Sequence, residues 1–174
     1  MKYPNEYIDY LIFFHGERDY FECHEILEEY WKKTEQSKND SIWVGLILLA
    51  VANYHYRRNN LNGAKRTLRK AIDLFNKEYR QISSLGLIDD EFISLMQKQL
   101  NKIESGEKYE SIQLPIADST LKKLCQERCT SKGCKWGAAS DLTNDFLIHR
   151  HTLRDRSNVI QERRKQLLKR KGNE

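Results

Sequence analysis

Apolar positions recur every three to four residues along most of the first hundred residues, a spacing that predicts a series of helices. The first covers Glu6 to Phe14, with Tyr7, Ile8, Leu11, Ile12 and Phe14 as its apolar positions, and stops near Gly16. Asp19 reads as the N-cap of a second helix, Tyr20 to about Glu35, with Glu22 three positions on as in a capping box. The polar residues 36–41 end it and cap a third, Ile42 to about Arg58. That helix is apolar on every side for three turns, which marks the centre of a bundle. After the turn Asn59 to Gly63, a fourth helix runs from Ala64 to about Ser83, with Leu68, Ala71, Ile72, Phe75, Tyr79 and Ile82 at helical spacing. Asp89 and Asp90 cap a fifth, where Phe92, Ile93, Leu95, Met96, Leu100 and Ile103 recur before Gly106.

The pattern lapses from Glu107 to Ser119, around Pro115, and then gives way to a Cys-containing segment and a charged helix, Arg154 to Lys171. The fold class expected is therefore all-α: a compact bundle of about five helices (residues 1–106), a linker (107–119), and a Cys-containing segment with a basic helical tail (120–174). Two prolines, eight glycines and 32% charged residues agree with long helices rather than a turn-rich β fold. The longest apolar run, Ile42 to Ala52, is far short of the ~20 residues a membrane span needs. No opening stretch has the pattern of a signal peptide, so the expected location is cytoplasmic, with the four cysteines as reduced thiols or metal ligands rather than disulfides.

Charge divides the chain. The net charge of +5 hides 16 Lys/Arg against 18 Asp/Glu in residues 1–114, and 14 against 7 in residues 115–174. The two parts are thus expected to meet different partners.

Projecting the second helix at ~100° per residue gives a continuous apolar arc of Tyr20, Cys23, Ile26, Leu27, Tyr30 and Trp31. His24 and Glu28 fall just inside its edge, one turn apart and able to meet, with Phe21 on their far side; Glu22, Glu25 and Glu29 fall toward solvent. The string His24-Glu25-Ile26-Leu27-Glu28 is not the zinc-protease helix motif, because the second ligand position holds a carboxylate. Two readings stay open. His24, Glu28 and His55 form a two-histidine, one-carboxylate site for a divalent metal such as zinc, or they form a buried hydrogen-bond network. Arg18 is a candidate partner for one of these carboxylates, and His15 is either a further ligand or a surface residue.

The same residues carry a resemblance. Phe14-His15-Gly16-Glu17-Arg18-Asp19-Tyr20-Phe21-Glu22-Cys23-His24-Glu25, followed by Leu27-Glu28-Glu29 and Trp31, resembles the hallmark of the domain-of-unknown-function family 309. Leu49 to His55 and the spaced Asn60, Gly63, Ala64 and Leu68 match as well, so the likeness covers about residues 14–75. It implies a small all-α bundle of the bacterial or archaeal cytosol, with His24, Glu28 and His55 in the signature, and no particular reaction. Similar members usually carry glutamine where this chain has Leu48 and glycine where it has Asn59.

Cys125, Cys129 and Cys134, with His149 or His151, make a second candidate zinc set, although paired Cys-x-x-Cys knuckles are lacking. Residues 150–174 hold nine Lys/Arg against three Asp/Glu and are a candidate for non-specific, salt-sensitive contact with nucleic acid. No aromatic follows Phe146, so base stacking is not expected there. The leading functional expectation is a non-enzymatic module that binds a protein or small ligand between the second and third helices. A metal-dependent hydrolase at His24, Glu28 and His55 is the alternative.

Overall fold

The computed structural model describes residues 2–36, 38–153 and 157–171. The protein is all-α, and its order is α1 (Asn5–Ile12), α2 (Tyr20–Thr34), α3 (Ile42–Arg57), α4 (Leu61–Lys77), α5 (Tyr79–Ile82), α6 (Asp89–Glu104), α7 (Ser119–Ser131), α8 (Asp145–Ile148), α9 (Arg150–Leu153) and α10 (Ser157–Lys171). No helix among the described residues is long and apolar enough to cross a membrane.

Local chemistry sets most boundaries. Asp19 accepts a hydrogen bond from the Glu22 amide (3.0 Å), Ser41 from Trp43 (3.1 Å) and Asn60 from Gly63 (3.0 Å), each satisfying an orphan donor at a helix start. Asn60 therefore starts α4 three residues before the expected Ala64. Asn59, just before it, has φ 62°. This left-handed conformation favours glycine and is tolerated by asparagine. The first helical run stops near Gly16, as expected, one residue beyond it. Phe13–Glu17 continue α1 as one π-helical turn, which ends on Arg18 at φ 55°.

α3 lies between α2 and α4, as its all-round apolar surface requires. Gly45 lets α4 approach closely, since a Cβ there would lie 2.7 Å from the Phe75 ring. α6 packs on α4 through Phe92, whose ring meets Phe75 edge-on at 4.8 Å. Residues 107–118 cross the bundle without forming a helix. Ile88 N–H donates to Pro115 O (2.9 Å) and Ala117 N–H to Gly86 O (2.8 Å), and Leu114 is buried. α7 then lies on α1, burying Leu121, Cys125 and Cys129. Its N-cap Asp118 also accepts from the Tyr3 hydroxyl (2.7 Å).

Candidate functional site

Two polar clusters flank α2. The first is a fully buried corner at its N-terminus. His15 is 1% exposed; its Nδ1–H donates to Leu11 O (2.9 Å) and its Nε2 accepts from Leu114 N–H (3.0 Å). Those two bonds assign the neutral Nδ1–H tautomer, and burial lowers its pKa to about 3. Trp136 stacks on the ring at 4.5 Å. Arg18, also 1% exposed, donates to the carbonyls of Phe14 (3.0 Å), Ile112 (2.7 Å) and Ala138 (2.8 Å). Arg57 donates to Arg18 O (2.6 Å), Ser140 Oγ (2.9 Å) and Leu147 O (3.2 Å), and lies over the Tyr20 ring. On sequence, Arg18 is a candidate partner for one of the α2 carboxylates. It is instead tied to backbone carbonyls, because the π-helical turn aims it into the gap between residues 112 and 138. His15 is neither a surface residue nor a ligand, since both its nitrogens bond the backbone.

The second cluster lines a pocket of about 240 Å³ between α2 and α3. α2 contributes Tyr20, Phe21 and His24; α3 contributes Val51, Tyr54 and His55, with Arg58 at its end; and α9 contributes His151. The spacing explains the meeting. Phe21 and His24 are three apart, and Val51, Tyr54, His55 and Arg58 stand at i, i+3, i+4 and i+7, so each set forms one stripe of its helix.

His24 Nε2 lies 2.7 Å from Glu28 Oε2, as helical projection expected. Burial is less than expected, however: the two side chains are 27% and 31% exposed, because Tyr20, Cys23 and Leu27 take the deep face of α2 and leave His24 at its margin. Glu25 is also not turned away, since its Oε1 lies 3.3 Å from His24 Nδ1. Burial opposes ionisation of Glu28, but the hydrogen bond from Lys32 and the His24 ring outweigh it and hold its carboxyl below the usual range. Asn60 Nδ2 donates to His55 Nδ1 (3.2 Å), which leaves the ring proton of neutral His55 on Nε2. Burial, then the Arg58 and Arg66 charges, lower the His55 pKa. The Tyr54 hydroxyl accepts from the His151 backbone N–H (3.1 Å) and bonds to His151 Nδ1. Arg150 secures α9 beside the pocket through ion pairs to Asp19 and Glu22.

The metal readings find no support in this geometry. No group of three or more His, Cys, Asp or Glu among the described residues is arranged to hold a metal ion. His24 and His55 share the pocket, but Glu28 is engaged by His24 and Lys32. In the second candidate set, Cys129 and Cys134 form a disulfide, contrary to the expectation of reduced thiols. Cys125 is a buried free cysteine, while His149 lies beside Arg58 and His151 beside Tyr54. Gly16 lies against the Cys129–Cys134 disulfide. The turn packs so tightly on the two sulfurs that a Cβ there would lie 2.5 and 2.8 Å from them.

Sequence reasoning placed His24, Glu28 and His55 at this site but missed Val51, Tyr54 and Arg58, although the i, i+3, i+4, i+7 spacing around His55 carried the signal. Leu48 continues that stripe by one apolar position. The sequence offers His149 or His151 as a candidate zinc ligand, and only the tertiary fold brings His151 to Tyr54.

Fold and site together define a helical-bundle protein with a ring-lined pocket between its second and third helices, framed by the His24–Glu28 pair. The profile of the family described as "Domain of unknown function (DUF309)" matches residues 7–67, which span both helices. The chain belongs to this family. It is also 50% identical over 169 residues, 97% of each chain, to the "Uncharacterized protein YpuF" of Bacillus subtilis (strain 168). No solved structure matches it.

Proposed function

We propose that this chain is a cytoplasmic, non-enzymatic binding module whose ligand site is the pocket between α2 and α3. One observation carries this reading: a 240 Å³ pocket is lined by His24, His55, His151 and Arg58 over an apolar floor of Phe21 and Val51. An apolar concavity with a few convergent polar groups is the usual form of a small-ligand site. At this volume, below the ~300–1,000 Å³ of drug-sized sites, the ligand is small. The test is a ligand-observed NMR fragment screen on the wild type and on Val51→Phe, which fills the pocket without removing a polar group. Fragments that bind the wild type and are lost from Val51→Phe support the reading. Binding unchanged by that substitution contradicts it.

A second reading concerns α10, where Arg164, Lys165 and Lys169 are exposed beside Leu167 and Leu168. This basic helix suits non-specific contact with phosphate backbones. At the start of residues 150–174, Arg150 and His151 dock on the bundle; residues 154–156 and 172–174 lie outside the described residues. Truncation after residue 153 is expected to abolish retention on a duplex DNA column at low salt; unchanged retention excludes this reading.

A further inference from the structure

The pocket's chemistry is uneven in a way that selects a ligand class. Its walls are rings: Phe21 lies 6.0 Å from His24 and 6.2 Å from Tyr54, centroid to centroid. Its polar rim on α3 consists of donors. The Arg58 guanidinium lies over the Tyr54 ring at 5.4 Å, and its Nε meets His149 Nδ1 at 3.4 Å. Among the described residues no carboxylate forms an ion pair with Arg58, and its two terminal NH2 groups make no hydrogen bond. A planar guanidinium fork of this kind matches a carboxylate with two parallel bonds. His55 adds Nε2–H, fixed as the proton-bearing nitrogen by Asn60. The carboxylates nearest the pocket are already occupied, Glu25 and Glu28 by His24 and Lys32, and Asp19 and Glu22 by Arg150.

We propose that the pocket takes a small planar aromatic carboxylate, its ring against the surface that Phe21 and Tyr54 form together and its carboxylate on the Arg58 fork beside His55 Nε2–H. This rests on the reading of the pocket as the ligand site. One guanidinium and an imidazole suit a monoanion, whereas a phosphate dianion needs more donors than this mostly apolar pocket presents. The surroundings of His55 agree. The charged and titratable groups around it are Tyr54 and Arg58 on α3, Arg66 of α4 and, across the pocket, Tyr20 and His24 of α2 and His151 of α9. The two arginines help to hold His55 neutral, so a bound anion offsets them and moves its titration to higher pH.

The test is titration of the full-length protein with 1-naphthoate, its neutral isostere 1-naphthamide, and inorganic phosphate. Calorimetry reads affinity, and the imidazole NMR signals of His24 and His55 read location and titration. Naphthoate is expected to bind at one site, shift both signals and raise the His55 midpoint. The amide and Arg58→Met should each weaken binding at least tenfold, and Arg58→Lys, which keeps the charge but loses the fork, should fall between. Equal affinity for amide and carboxylate, or no loss in a folded Arg58→Met, overturns the ligand class while leaving the pocket reading intact. Phosphate binding as tightly as naphthoate overturns it also, in favour of a simple anion hole. If no probe moves either histidine, the proposal fails, and the fragment screen on Val51→Phe decides the pocket reading separately.

Discussion

The corner around His15, Arg18 and Arg57 and the pocket around His24, His55 and Arg58 use the same residue types for opposite ends. In the corner, both nitrogens of the one histidine and five of the arginine N–H bonds are directed mostly at backbone carbonyls and amides, at almost no exposure. Such groups hold distant segments together: residues 11–18 to residues 112–114 and 138, and Arg57 of α3 to Arg18 and Leu147. In the pocket, histidines and arginine are partly exposed and bond side chains at the margin of an apolar hollow. A polar group whose partners are backbone atoms specifies the fold, because losing it strands those atoms without water. A polar group at a half-open margin has an alternative partner in solvent, so it is free to serve a ligand.

That contrast breaks most visibly at Arg18. Replacing it with methionine leaves three carbonyls without their donor and is expected to cost roughly 3–5 kcal/mol of folding stability, at about 1–3 kcal/mol for each stranded buried group with partial relaxation. Urea denaturation reads this directly; a loss near that of a surface arginine contradicts the structural role of the corner. Gly16→Ala comes next, at about 1–3 kcal/mol for overpacking against the Cys129–Cys134 sulfurs. Its loss is expected to be relieved in the Cys129→Ala, Gly16→Ala double variant, and an additive double variant argues that the turn does not press on that sulfur.

His15 supplies the pH dependence. Its ordinary value is 6.5 and its folded value about 3, so between these the unfolded chain binds a proton that the native chain does not. Stability from this group is therefore complete above about 6.5 and falls as pH drops toward 3, by at most about 1.4 kcal/mol per pH unit. Denaturation at pH 6, 5 and 4 is expected to show a steeper loss in the wild type than in His15→Gln. Parallel losses contradict a neutral buried His15. The smallest effect belongs to the pocket margin: Glu28→Gln is expected to change stability by less than about 1 kcal/mol, because the His24–Glu28–Lys32 pairs are solvent-screened.

Much of this architecture was legible in order, and the reason is locality. The caps Asp19 and Ser41, the central α3 and the His24–Glu28 pair depend on residues within one or two turns of each other. What escaped depends on long loops closing. The bond from Leu114 to His15 spans 99 residues and that from Arg18 to Ala138 spans 120, so no periodicity announces them. Helical spacing accordingly points to His24, which sits on an apolar arc, rather than to His15, which is buried only once residues 112–137 cross over it. The pocket lies between these cases. Its α2 and α3 stripes were readable from helical spacing, while His151 reaches Tyr54 only because Arg150 anchors α9 to Asp19 and Glu22.

The division between a structural corner and a ligand-ready pocket is tested most directly by following all five histidines in one long-range 1H–15N NMR titration with 1-naphthoate. His24, His55 and His151 are expected to shift together while His15 stays fixed as the Nδ1–H tautomer. A shift of His15 with the others unmoved would place binding in the corner and contradict the account.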